Sequence, residues 1–454
     1  MMAFILLKEF IRSRSLFFIN SKMLNPPLLL FVFIIFVLII ISYIKKDLDF
    51  VAISLFLMFL CAIVTGIVKG LEFGAFIAFI EIKAIIIILS MSIITKIMQD
   101  SNIIEYVAVK LFKISKGNQR TFFWLLCIIT TLLASIISDI VVVLIMAPVV
   151  IRLCHFLKIR AGTYLLGMTI CINIGSIITP FSSGENIIIS TAFGLNTPFF
   201  IIYFWVFSFG LLFLTIFLMD RLILSKEPKI DKMQKKIVMD LIETDVMIKN
   251  KKMFYINSIA IMITIALFAI LPLLYLTAVI SALILVMINK KYTKKNMNDM
   301  LKDIEWEIIF FFIALYIVVG CLLEAGFRDL IMLFPFSNFS TFMVCLIILI
   351  AVSLLSGVVA NTPTALVFIP IVGTLIELGF PPVPLLFALI IGVNLGGNFL
   401  PQGAACDLMM LKIAQDKGVE NFNFKRLAKT GGFFALIHLL CAILYLFILV
   451  LIFG

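Results

Sequence analysis

The 454-residue sequence is 63% hydrophobic and only 13% charged, with a formal net charge of +11. A soluble globule of that length carries about half apolar and a quarter charged residues, so this composition excludes a soluble enzyme and implies a polytopic membrane protein. The positive balance is no nucleic-acid signature, because the basic residues lie in loops between apolar runs.

The first 20 residues place Lys8, Arg12 and Arg14 inside a short apolar pattern. That is too charged to span a bilayer, and no small-residue cleavage site follows, which predicts an interfacial amphipathic helix rather than a cleaved signal. A spanning helix needs about 20 mostly apolar residues. Simple spans are predicted near 28–44, 50–69, 84–98 and 198–219 and, after a basic linker at 220–253, near 254–270, 272–289, 305–322 and 430–453. The linker mixes apolar and charged residues at helical spacing and reads as a helix on the cytoplasmic membrane surface.

Four further apolar segments are interrupted by polar residues, Gly or Pro. Segments 121–154 and 340–377 read as hairpins that enter and leave on one side; 161–193 and 384–415 read as single spans broken in the middle. With five crossings per half, the loops assigned to the cytoplasm hold 28 of the 36 Lys and Arg residues. This is a strong positive-inside pattern, as expected of a multi-pass protein of the cell membrane. The N-terminal segment falls outside by the same count despite its basic residues; either it lies on the surface or the first span is miscounted.

The interruptions recur. SDIVVVLIMAP at 138–148 aligns with ANTPTALVFIP at 360–370, and NIGSIITPFSSGEN at 173–186 with NLGGNFLPQGAACD at 394–407. Glu81 and Asp100 align in turn with Glu305 and Glu324. Matching Ile or Leu means little in such a chain; matching Asn, Gly, Pro and acidic positions means more. An odd number of crossings per half inverts the second copy, and inverted repeats with broken helices are the sign of secondary transporters. The fold expected is therefore all-α and polytopic, two inverted repeats of five spans. The first covers 1–219, the linker 220–253 and the second 254–454.

Unwound backbone inside hydrocarbon is tolerated only where it is buried in protein or lines a cavity. Pro363 removes an N–H donor and disfavours helix at Thr362, so the second hairpin is predicted to turn at Asn361-Thr362. Carbonyls there, with the side chains of Asn361, Thr362 and Thr364, offer oxygen ligands. The main polar positions are Asp139 and Asn186 in the first half and Asn361 and Asp407 in the second, one carboxylate and one amide each. Such oxygens suit Na⁺, and a carboxylate also carries a proton. Candidate ion sites pair Asp139 with Asn186 and Asn361 with Asp407. Asn173 and Asn394 join the set, with Ser138, Ser183, Glu185 and Gln402 as weaker members. Glu185 reads equally well as a helix N-terminal charge at the interface.

Eight cysteines without a C-x-x-C pair and only two histidines exclude a disulfide framework and a zinc site. No cofactor beyond the coupling ion is expected. His438 reads as packed and neutral, and Trp124, Trp205 and Trp306 as interface anchors. Lys412 and Arg152 read as cytoplasmic anchors.

These motifs resemble the ion-transporter superfamily, in particular its arsenite-permease and sodium/proton-antiporter branch, its citrate-transporter-like domain and its divalent-anion/sodium symporters. The symporter branch places Ser-Asn-Thr at each hairpin tip. Ala360-Asn361-Thr362 matches two of the three, and Ser138-Asp139-Ile140 keeps the serine. Asn173-Ile174-Gly175-Ser176 and Asn186 are similar to the antiporter and arsenite branches, whose acidic-Pro-Pro-Asn loop is replaced here by Ser183-Gly184-Glu185-Asn186. The resemblance implies a scaffold part and a moving transport part, often within a homodimer.

Residues and resemblance together point to a secondary active transporter for a small anion, an inorganic oxyanion or a carboxylate, coupled to Na⁺ or H⁺. The alternative is Na⁺/H⁺ antiport or export of an arsenite-like species. No P-loop, nucleophile elbow or sensory domain supports an enzyme or a receptor.

Overall fold

A computed structural model of the chain describes residues 24–454 apart from 46, 231–234, 237–238, 240–247 and 294–296. The expected N-terminal interfacial helix and most of the linker helix lie outside the described residues. The described residues hold twenty α-helices in two series and no strand. The first ten helices are α1 Pro26–Ile44, α2 Phe50–Lys69, α3 Phe73–Ala78, α4 Ile82–Asp100, α5 Ile103–Ile114, α6 Gln119–Ala134, α7 Asp139–Phe156, α8 Gly162–Gly175, α9 Gly184–Phe193 and α10 Thr197–Leu222. The second ten are α11 Lys251–Ile270, α12 Leu274–Thr293, α13 Met297–Lys302, α14 Trp306–Glu324, α15 Phe327–Met332, α16 Thr341–Val359, α17 Asn361–Glu377, α18 Pro382–Gly396, α19 Ala405–Asp416 and α20 Phe424–Phe453. Among the described residues, eleven helices are long and apolar enough to cross a membrane. Ile67 is 79% exposed and Leu451 71%; large apolar side chains so open to their surroundings belong in lipid rather than water.

Local chemistry sets the helix ends. Asp49, Asn118, Asn196, Asn250 and Asn423 each accept a hydrogen bond from a first-turn N–H of the helix that follows, satisfying donors that have no intrahelical partner. Gly70 and Gly194 close α2 and α9 in the left-handed conformation, both at φ 66°. The short α3, α5 and α13 were not expected.

The two series correspond in order, and three pairs agree in length. Helices α2 and α12 have 20 residues each, α4 and α14 have 19 each, and α3 and α13 have 6 each. Packing corresponds as well: α4 lies on α12 and α14 on α2, α6 on α8 and α16 on α18, α7 on α19 and α9 on α17. Helices α8 and α18 are innermost, with every residue buried.

Glycine allows these inner helices to approach their neighbours. A Cβ on Gly175 would sit 2.4 Å from the Thr131 carbonyl oxygen, and one on Gly396 would sit 2.5 Å from that of Ser353. Small residues at such contacts let helices meet where lipid supplies no hydrophobic drive. Gly396→Ala is therefore expected to push α18 off α16 and cost about 1–3 kcal/mol, read as a lower Tm in detergent; an unchanged Tm would show that this contact yields freely.

All four interruptions expected in the apolar segments are present, at 135–138, 176–183, 360 and 397–404. The second hairpin, however, turns one residue earlier than predicted. Ala360 carries the break at φ 117°, and Asn361 and Thr362 already belong to α17. Pro363 does not exclude helix at Thr362, because it occupies the third position of α17, where an N–H has no intrahelical partner to lose. Ala360 takes a conformation normally reserved for glycine. It is pinned there by Thr364 Oγ1, which donates to the Ala360 carbonyl at 2.8 Å, and by the Asn361 N–H, which donates to Gly403 at 3.2 Å.

Candidate functional site

The N-termini of α7, α9, α17 and α19 meet at one cavity of about 300 Å³. Each helix start leaves N–H groups without intrahelical partners and carries roughly half a positive charge. Ser138, Asp139, Ser183, Glu185, Asn361 and Thr362 line this cavity. Asp139 opens α7, its carboxylate accepting the Ile140 N–H at 2.9 Å. Glu185 lies in the first turn of α9 and accepts from Asn361 Nδ2 at 3.1 Å. Asn361 Oδ1 faces Ser356 Oγ at 2.6 Å, which fixes the amide's orientation. Asp139 and Glu185 thus share the cavity with four positive helix ends.

Behind this wall is a layer of buried amides that joins the two halves. Asn173 Nδ2 donates to Asp407 Oδ1 at 3.3 Å and to Asn398 Oδ1 at 2.8 Å. Asn394 Nδ2 donates to Asn186 Oδ1 at 2.9 Å. In the alignment Asn173 corresponds to Asn394 and Asn186 to Asp407, so the same bond occurs twice with its two ends exchanged. Cys406 Sγ lies 3.3 Å from Asn173 Oδ1 and 3.4 Å from Asp407 Oδ1.

The unwound loop of the first broken helix is held by side chains. Asn186 Nδ2 donates to the carbonyls of Ser176 at 2.5 Å and Thr179 at 3.0 Å. Trp205 Nε1 donates to the Ile178 carbonyl at 3.0 Å, and Thr179 Oγ1 donates to Ser135 at 2.6 Å. These bonds replace those the helix would have made, as buried backbone requires. Trp205, expected as an interface anchor, is here a brace of that loop.

The structure therefore divides the expected site residues. Ser138, Asp139, Ser183, Glu185, Asn361 and Thr362 reach the cavity, whereas Asn173, Asn186, Asn394 and Asp407 form the layer behind it. Thr364 and Gln402 are not among the lining residues. Sequence reasoning passed over Lys96, Gln99, Asp303 and Glu305, which line the cavity further out, and Asn398, which is buried beside Asp407's partner. Asn398 aligns with Ile177, so a search for polar positions shared by both halves could not find it.

Broken helices whose starts converge on one cavity, within a multi-pass helical protein, define a membrane transporter. Residues 28–344 and 332–454 match the citrate transporter family, CitMHS; the chain belongs to that family, as its resemblance to the citrate-transporter-like domain implied. An uncharacterized transporter of Mycobacterium bovis is 24% identical over 377 residues, 81% of this chain and 86% of that protein. A 46 kDa membrane protein of Mycobacterium leprae is 26% identical over 379 residues, again 81% and 86%. Among solved structures, the YdaH transporter of Alcanivorax borkumensis is similar with a TM-score of 0.57 and 11% identity, over 83% of this chain and 86% of that one. MtrF of Neisseria gonorrhoeae, described as illuminating a class of antimetabolite efflux pumps, is similar with a TM-score of 0.62 and 13% identity, over 98% of each chain. At such identities the likeness extends to the fold alone.

Proposed function

We propose that this protein is a secondary active transporter that moves a small anion, an inorganic oxyanion or a carboxylate, together with Na⁺ or H⁺. The observation that carries this reading is the meeting of four helix N-termini with Asp139 and Glu185 at one cavity. Helix N-termini favour an anion, and the carboxylates favour a cation or a proton. An anion entering beside two carboxylates is repelled until a cation or proton neutralises them, so the coupling ion binds first or with the substrate. Asp139, Asn361 and Asp407 are the residues assigned to the coupling ion.

The two series of ten helices support a chain of two inverted repeats, 1–219 and 254–454, joined by the linker 220–253. Each repeat contributes one hairpin that enters and leaves on one side and one broken span. Their exchanged Asn173–Asp407 and Asn394–Asn186 bonds support a site at the repeat interface.

A second reading, Na⁺/H⁺ antiport without an anion, is favoured by the acidic lining: Asp139, Glu185, Asp303 and Glu305 against Lys96. Reconstituted vesicles separate the two. Labelled citrate or phosphate is expected to accumulate under an imposed Na⁺ or pH gradient, and Asp139→Asn is expected to reduce that accumulation by about tenfold or more. Full driven uptake by the folded variant would refute the role of Asp139. Proton movement driven by Na⁺ with no anion present would favour antiport.

A further inference from the structure

We propose that Lys96 is the charge-selecting residue of this cavity: at one mouth only, it receives the anionic group of the substrate by exchanging it for Asp303. The inference rests on the anion-transport reading above.

Lys96 belongs to a polar stripe on α4. Ser92, Thr95, Lys96 and Gln99 all line the cavity, at spacings that put them on one helix face. Among the described residues, Lys96 is the one basic residue on the lining. Its Nζ lies 3.2 Å from Asp303 Oδ2, and both side chains are partly open, 28% and 37% exposed. Ion pairs this exposed are weak, so an incoming carboxylate or oxyanion can take the place of Asp303 without a large loss. Glu305 lines the outer part with Asp303, and further in, at the starts of α9 and α7, lie Glu185 and Asp139, which would turn an anion away. A lysine ahead of them raises the local concentration of anions just where the acids lower it.

The other half has no such residue. Helices α4 and α14 are of equal length, and position for position Ser92 corresponds to Tyr316, Lys96 to Gly320 and Asp303 to Phe79. There the corresponding space is filled: the Phe79 ring lies so close that a Cβ on Gly320 would sit 2.2 Å from its Cγ. The ion pair of one mouth is thus replaced by a ring on a glycine at the corresponding place. The charge count assigns the Lys96 end of α4 to the cytoplasm, so selection acts on anions meeting the cavity from that side.

The experiment reads charge selection without knowing the substrate. Ser92, one turn deeper than Lys96, is changed to cysteine in the full-length protein, in membrane vesicles with the basic face outward; the eight native cysteines set the background. With Ser92→Cys alone, the anionic reagent sulfonatoethyl methanethiosulfonate and its trimethylammonium counterpart give two rates. Adding Lys96→Met is expected to slow the anionic reagent about tenfold and to leave the cationic one as fast or faster. Lys96→Arg is expected to keep the original ratio, and Asp303→Asn to shift it further toward the anion. Rates that do not change, or that fall together for both reagents, would overturn the assignment. Citrate with Mg²⁺, and phosphate, then serve as protecting probes. If neither protects the Ser92→Cys thiol while the charge ratio still depends on Lys96, the anion-substrate reading falls and the selecting role of Lys96 stands.

Discussion

Asp407→Asn is expected to fold normally and to lose ion-driven transport by about 100-fold. Asp407 is 1% exposed and accepts from Asn173 Nδ2 at 3.3 Å. An amide keeps an acceptor oxygen at that place, and an asparagine, Asn186, already occupies the corresponding position in the first half. The neutral side chain leaves no ionisable group to bury, so the Tm of the variant is expected to equal or exceed that of the parent. What disappears is the group that can carry a charge or take up a proton. If Asp407 helps to hold Na⁺ or H⁺, its removal weakens the coupling ion and spares the fold. Transport under a Na⁺ gradient and under a pH gradient, with Tm measured on the same preparation, checks both halves of this claim. Retained coupling would make Asp407 a structural acceptor and leave the ion to Asp139 and Glu185.

The sequence made this site legible because symmetry magnified it. In a chain this apolar, a single buried Asp or Asn carries little information, but Asp139 aligned with Asn361, and Asn186 with Asp407, stood out against the Ile and Leu background. The structure brings Asp139 and Asn361 to one cavity and joins Asn173 to Asp407 and Asn394 to Asn186. The same logic concealed whatever the halves do not share. Lys96 corresponds to a glycine and Asn398 to an isoleucine, so neither could be found by comparison of the repeats. Glu305 was visible as the counterpart of Glu81 but served only to mark the repeat. Hydropathy was equally silent about depth. Lipid and protein interior are both apolar, so hydropathy did not distinguish the innermost α8 and α18 from the lipid-facing α2; only their polar interruptions set them apart. Helices as short as α3 and α13, 6 residues each, present less than two turns of pattern. The hairpin break moved to Ala360 because bonds from Thr364 and to Gly403 hold it there, and tertiary contacts of that kind leave no local mark in the sequence.

The largest loss of stability is expected from Asn186→Leu, about 3–5 kcal/mol. The substitution puts an apolar side chain of the same branching into an apolar interior, so a simple hydropathy argument predicts little effect. Hydrogen bonding predicts the reverse. Asn186 is fully buried, and its amide satisfies the Ser176 and Thr179 carbonyls at 2.5 and 3.0 Å while its oxygen receives Asn394 Nδ2 at 2.9 Å. Leucine leaves all three buried groups without that partner, each at about 1–3 kcal/mol; Ser182 Oγ also reaches both carbonyls, which moderates the sum. Asn394→Leu should cost less, because it forfeits the Asn186 bond, one donation to its own helix at Ile390 and a long bond accepted from Ser183 Oγ at 3.5 Å, and leaves no unwound-loop carbonyl without its donor. Thermal melting followed by size-exclusion in detergent ranks the two. Asn186→Leu is expected to lower Tm by about 5–10 °C and Asn394→Leu by less. The reversed order, or two unchanged values, would mean that the unwound loop at 176–183 is held by Trp205, Thr179 and Ser182 alone and that the amide layer serves the transported ion rather than the fold.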